Sequence, residues 1–329
     1  MSRSHSALGI ALLIALSCVS VGSAWPPPAE AGASLVADSI VNDLVFQAKY
    51  ALAAYCEVGR VSLTWTCVNQ LCGGETAGTK VLAVLENSLR ADNYGGFLAL
   101  QPGGTTAVFS LAGSQATTDW VLDAAILPTS NVQDIFPNAP AGSTAHLGFW
   151  ATFKAGLPSM QYHINTTLAK YPSVKNVVFT GHSLGAVQQS LHAGYFSDQL
   201  AARNITLRTY SFAPARTVNA VLAAYLSTMP AYQDGAFYRV ITRQDLVPRI
   251  LPPWPPTFWT HLGTEYFLNG FLGSKTTYKC PSPAVGAENL YCMQAVSPLE
   301  LSLVPGHIDY FGLDNFFLKC YVPLYGLLS

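Results

Sequence analysis

Charge is scarce in this chain. Of its 329 residues, 17 are Lys or Arg and 18 are Asp or Glu, together 11%, against roughly 25% in an ordinary soluble domain. No basic run occurs and the formal net charge is −1, so the electrostatic footprint of a nucleic-acid partner is missing. Beyond the N-terminus, no stretch approaches the ~20 apolar residues of a membrane span, although half the residues are hydrophobic. Internal repeats, low-complexity segments and long linkers are lacking, which excludes repeat arrays and leaves one large domain, expected over 34–329. C-x-x-C pairs and Cys/His clusters at zinc-ligand spacing are lacking too, so neither a metal nor another cofactor is expected.

What is present begins with a leader. Arg3 is a positive flank, Ala7 to Val21 is an apolar core too short to span, and Gly22-Ser23-Ala24 offers small residues for cleavage. Residues 1–24 are therefore expected to be a secretory signal peptide, followed by a Pro/Ala-rich tail over 25–33. The mature chain would then be secreted and extracellular, without a membrane anchor. Cys18 would leave with the signal, and Cys56, Cys67, Cys72, Cys280, Cys292 and Cys320 would remain. An even set in a secreted chain implies disulfides. Asn165-Thr166-Thr167 and Asn204-Ile205-Thr206 are glycosylation sequons, Asn204 the better placed because it falls between a helix and a strand.

Periodicity supplies the elements. Leu35 to Tyr55 carries a helical apolar stripe. Thr79 to Glu86, Gly96 to Leu100 and Thr105 to Leu111 read as strands. Phe149 to Lys170 reads as helix, broken near Gly156-Leu157-Pro158. Thr206 to Phe212 and Phe237 to Thr242 read as strands, with a helix over Thr217 to Ser227 between them. This alternation predicts an α/β fold with a mostly parallel central sheet flanked by helices.

The chain is organised around Gly181-His182-Ser183-Leu184-Gly185. An apolar strand, Val177 to Phe179, leads in, and an amphipathic helix leads out from Leu184. A serine on so sharp a strand–turn–helix elbow is exposed at the strand tip, with the positive end of the helix behind it. A hydroxyl needs a base to become a nucleophile, and the base needs a carboxylate. Asp245, just past the strand ending at Thr242, suits the acid. Asp198 and Asp234 fit it less well by position. Among the histidines, His192 lies on the elbow helix and is expected to pack, whereas His261 and His307 are both credible bases. The oxyanion donors expected are the N–H of Leu184 and Ser114 in the turn after Leu111.

These residues resemble a known family. The elbow with Ala186, Asp245-Leu246-Val247-Pro248, His261-Leu262-Gly263-Thr264-Glu265-Tyr266-Phe267 and His307-Ile308-Asp309-Tyr310-Phe311 are together similar to the secreted filamentous-fungal lipases of class 3, a group that includes feruloyl esterases. The resemblance implies an α/β-hydrolase fold with a short helical lid, and puts the nucleophile on Ser183, the acid on Asp245, the base on His307 and the oxyanion serine on Ser114. It also implies the pairs Cys56–Cys320, Cys67–Cys72 and Cys280–Cys292, and makes His261 a supporting residue. Two stretches depart from the family pattern: Ala112 stands where Arg is frequent, and Thr209 to Arg216 reads differently.

The function expected is ester hydrolysis through an acyl-enzyme, most simply by a monomeric triacylglycerol lipase at a lipid–water interface. Trp120, Val121 and Leu122, in a short amphipathic helix over Thr117 to Ala125, would form its lid. An aromatic-ester hydrolase such as a feruloyl esterase, and a non-catalytic binding protein on the same fold, are the alternatives.

Overall fold

The computed structural model describes residues 32–56, 63–67, 70–85, 95–113, 127–129, 131–253, 259–271, 274–284, 286–289, 291–302 and 305–313. Their main sheet has nine strands: β1 (Ser34–Leu35), β2 (Lys80–Leu85), β3 (Gly96–Leu100), β4 (Thr106–Leu111), β5 (Asn176–His182), β6 (Thr206–Phe212), β7 (Phe237–Thr242), β8 (Thr264–Phe271) and β9 (Ser274–Lys279). They lie in the order β1-β9-β8-β7-β6-β5-β4-β3-β2. Strands β4 to β8 are parallel, and the pairs toward either edge are antiparallel.

Helix α1 (Asp38–Ala53) covers one face, and α2 (Leu147–Lys170), α3 (Leu184–Ala201) and α4 (Ala220–Leu226) cover the other. The central strands carry apolar residues on both sides because successive residues point to opposite faces and both faces are buried. Val108 and Val178 thus pack with Leu44 and Tyr50 of α1, while Phe109 and Phe179 pack with Leu191 and Phe196 of α3. A small second sheet joins Pro128–Thr129, Ala145–His146, Val218–Asn219 and Trp259–Thr260 near the carboxyl ends of the parallel strands. No helix among the described residues is long and apolar enough to cross a membrane.

Three expectations need correction. The helix before the elbow is not broken: α2 runs through Pro158. Pro158 lies on its exposed face, so the carbonyl it leaves without a donor can be met by water. The element after β6 begins with the short strand Val218–Asn219, and only Ala220–Leu226 is helical, capped by Asn219. Leu35 joins β9 as an edge strand, and the first helix starts at Asp38. The hairpin of β8 and β9 is an addition that apolar periodicity did not reveal. Cys67–Cys72 and Cys280–Cys292 are bonded, with Cα separations of 5.4 and 6.3 Å. Cys56 is disulfide-bonded as well, and Cys320 lies outside the described residues.

Candidate active site

Strand β5 ends at His182 and α3 starts at Leu184, which leaves Ser183 alone in the turn with φ 58° and ψ −127°. A side-chain-bearing residue in this region is strained, and such strain persists only when its surroundings fix it. Two contacts fix it here. A Cβ on Gly185 would lie 2.1 Å from the carbonyl oxygen of Leu111, so α3 meets β4 with no room for a larger residue. A Cβ on Gly113 would lie 2.7 Å from the Cβ of Ser183 and 2.5 Å from Oη of Tyr55. The turn after β4 therefore abuts the serine directly. Leu184 heads α3, so its N–H is among those with no acceptor inside the helix. Its side chain packs with Phe149, Val187, Val247, Leu251 and Trp259.

Asp245 lies just beyond β7 and is fully buried. The N–H of Val247 donates to its Oδ1 (2.9 Å), and Oη of Tyr310 donates to its Oδ2 (2.7 Å). His307 Nδ1 lies 3.0 and 3.1 Å from the two carboxylate oxygens and donates to them. Burial, with the adjacent Asp245 carboxylate, pushes the Tyr310 phenol well above its ordinary range and keeps it a donor. The backbone around His307 is stitched to the end of β7: the Thr242 hydroxyl donates to the Gly306 carbonyl, and a Cβ on Gly306 would lie 2.3 Å from the Gln244 carbonyl oxygen.

The sequence reading missed His182. Its Nε2 lies 2.8 Å from the carbonyl oxygen of His307, and its Nδ1 lies 2.9 Å from Oη of Tyr55. A carbonyl only accepts, so Nε2 carries the proton and Nδ1 accepts from the tyrosine. Burial, then the neighbouring His307, holds the His182 pKa far below the usual imidazole value, so the ring is neutral. The rings of His182 and His307 lie 4.6 Å apart. His182, the residue preceding Ser183, thus ties the loop of His307 to the elbow and to Tyr55. Among the described residues, neither Ser183 Oγ nor His307 Nε2 has a hydrogen-bond partner, so both groups that would meet a substrate are uncommitted. Tyr310 carried one visible signal, its place three residues after His307. Tyr55 carried none.

The other candidates fall elsewhere. His192 is fully buried among Phe153, Phe179 and Phe196, as expected of a packing residue. Asp234 pairs with Lys279 at the surface (2.6 Å). His261 donates from a different pocket, where its Nδ1 lies 2.7 Å from Glu288 and its Nε2 lies 3.2 Å from the Pro214 carbonyl oxygen. Asn165 and Asn204 are both exposed. Ser114 and the lid residues Trp120, Val121 and Leu122 lie outside the described residues.

A strained serine at the head of a helix, on the carboxyl edge of a parallel sheet and next to a buried His–Asp pair, defines a serine hydrolase of the α/β-hydrolase fold. The comparisons carry this one step further. The family described as Lipase (class 3) matches residues 108–254. The secreted mono- and diacylglycerol lipase A of Penicillium cyclopium is 27% identical over 237 residues, covering 71% of this chain and 72% of that protein. The secreted mono- and diacylglycerol lipase 1 of Fusarium solani is 25% identical over 317 residues, covering 91% and 87%. The crystal structure of the lipase from Rhizopus microsporus var. chinensis superposes with a TM-score of 0.71 at 22% identity, covering 86% of this chain and 90% of that one. Over residues 108–254 the chain is thus similar to the class 3 lipases, and it is a serine ester hydrolase.

Proposed function

We propose that the protein is a secreted, extracellular triacylglycerol lipase in which Ser183, His307 and Asp245 form the catalytic triad. The observation that carries this reading is the buried Asp245–His307 pair, whose loop is tied through His182 to the elbow of the strained Ser183. Ser183 Oγ attacks the ester carbonyl carbon as His307 Nε2 takes its proton. The carbonyl oxygen becomes an oxyanion facing the N–H of Leu184 and the donors of Ser114. The C–O bond to the alcohol breaks as His307 returns the proton to the leaving oxygen. Water then repeats the sequence on the acyl-enzyme and releases the carboxylic acid. Asp245 holds the imidazole and stabilises its cationic form.

Lipid esters suit the apolar surroundings of the elbow, where Phe149, Val187, Leu251 and Trp259 pack with Leu184, the residue after the serine. The two named secreted relatives favour a second reading within the same chemistry, in which partial glycerides are preferred. Initial rates on emulsified tri-, di- and monoolein and on dissolved methyl ferulate separate the readings. A triacylglycerol lipase turns over all three oleins and leaves ferulate nearly untouched. Ferulate turnover far above olein turnover would overturn the proposal. The lid reading adds that Trp120→Ser lowers activity on emulsified long-chain glycerides more than on dissolved short esters. Equal loss on both would make Trp120 a fixed wall.

A further inference from the structure

Away from Ser183, the C-terminal half of α2 arches over the β2 edge and leaves a cavity of about 310 Å³. That is at the small end of the ~300–1,000 Å³ typical of ligand sites. Its floor is aliphatic, from Leu82, Ala83 and Leu98, and its walls include His163, Lys170 and Tyr171. Leu98 pairs with Phe109, which pairs with Phe179. The floor is thus two strands across from β5. It also lies four residues (183 − 179) short of Ser183 along the strand, roughly 13 Å at the usual rise per residue. This is not the catalytic cleft.

Charge singles the cavity out in a chain with so little of it. Lys80 Nζ and Lys170 Nζ each lie 5.7 Å from the centroid of the same ring, that of Tyr171. Two like charges drawn to one ring repel each other, and the quadrupole of a phenol compensates them only in part. Among the described residues, neither lysine has a carboxylate within ion-pair distance, and Lys175 has none either, whereas Lys49, Lys154, Lys275 and Lys279 each have one. Burial lowers the pKa of His163, so it adds no charge at neutral pH. The cavity therefore offers an aliphatic floor below walls of Tyr162, Thr166, Thr167 and Tyr171, with the Lys170 ammonium on its lining and that of Lys80 across the Tyr171 ring. A sugar would leave the charges unanswered, and an inorganic anion would leave Leu82 and Ala83 uncovered.

We infer that this cavity binds a long-chain carboxylate, its acyl chain over Leu82, Ala83 and Leu98 and its head group at Lys80 and Lys170. The inference does not depend on the triad assignment, because the probe is not an ester. Calorimetric titration of dodecanoate, below its micellar concentration, into wild-type protein should show saturable binding. The double variant Lys80→Glu/Lys170→Glu should weaken it at least tenfold. Thr166→Trp, on the exposed side of α2, should remove it by filling the cavity. Dodecanol should bind at least tenfold more weakly than dodecanoate. Both variants should hydrolyse a dissolved acetate ester at the wild-type rate, which reports that they are folded. Dodecanoate binding that is absent in the wild type, or unchanged in both variants, would overturn the proposal. So would glycerol phosphate binding as tightly as dodecanoate, since the apolar floor would then play no part.

Discussion

Among the described residues two histidine–carboxylate pairs are buried, and their surroundings differ. In both, Nδ1 faces the carboxylate, at 3.0 Å for His307–Asp245 and 2.7 Å for His261–Glu288. The differences lie around them. Asp245 is met by an amide, a phenol and an imidazole, none of which is a fixed cation. In the proposed triad its charge is left for the imidazolium that forms during turnover. Glu288 is already matched: Arg216 Nε lies 3.5 Å away, and the N–H of His261 and the Thr260 hydroxyl donate to it. Burial alone would raise Glu288, yet His261 and Arg216 outweigh it and hold the carboxyl far below its ordinary range. Burial lowers His261 to about 4 although Glu288 opposes this. Its Nε2 also faces the Pro214 carbonyl. A histidine–carboxylate pair becomes a base only when the carboxylate lacks other cations and the far nitrogen is free.

The largest effect should come from exchanging the two histidines' fates. His307→Ala should lower kcat by about 10⁵–10⁶ with little change in Tm. His261→Ala should keep kcat within about tenfold and lower Tm by several degrees. Steady-state hydrolysis of a p-nitrophenyl ester with parallel thermal melts decides it, and the reverse pattern would break the comparison. Next are the carboxylates. Asp245→Asn should cost about 10⁴ in kcat. Glu288→Gln should instead cost about 3–5 kcal/mol in urea unfolding, because Arg216 is left with an unanswered buried charge. Third are the hydroxyls that donate to each carboxylate. A hydrogen bond to a charged group is worth about 1.5–3 kcal/mol, so Tyr310→Phe should lower kcat by about 10- to 100-fold, whereas Thr260→Val should leave kcat unchanged.

The last effect, spread over more than two pH units, is in pH. His261 takes a proton near its ordinary value when unfolded but only at about 4 when folded. Between these values the unfolded chain binds more protons, so stability rises with pH and falls on acidification from about 6.5 to about 4. The contribution is ~3 kcal/mol at most. Melts across this window should show the loss, and His261→Gln should flatten it; an unchanged slope would sever the link.

The parts of this arrangement that could be read from sequence are local ones. The elbow was legible because strand, glycines and helix are contiguous, and Asp245 because it follows a strand end. His261 and His307 could not be ranked by their own neighbours. Each sits in a loop, and the distinction depends on Glu288, a lone acid in an irregular segment that gives no pattern. The β8–β9 hairpin escaped because Tyr266 to Leu268 is buried on both faces and does not alternate. Pro158 misled because a proline's cost depends on whether its side of the helix is wet, which only packing decides. Tyr55 and His182 were invisible because their contact spans 127 residues.

That contact has a consequence for how the enzyme is made. The elbow, its acid and its base emerge from the ribosome in that order, and the loop of His307 is seated by bonds to His182 and Asp245 that are already waiting. At about 5–20 residues per second, the 124 residues between Ser183 and His307 (307 − 183) take roughly 6–25 seconds to synthesise. On the proposed triad, the nucleophile is without its base for that interval, so the newborn chain is inactive until its last part is made.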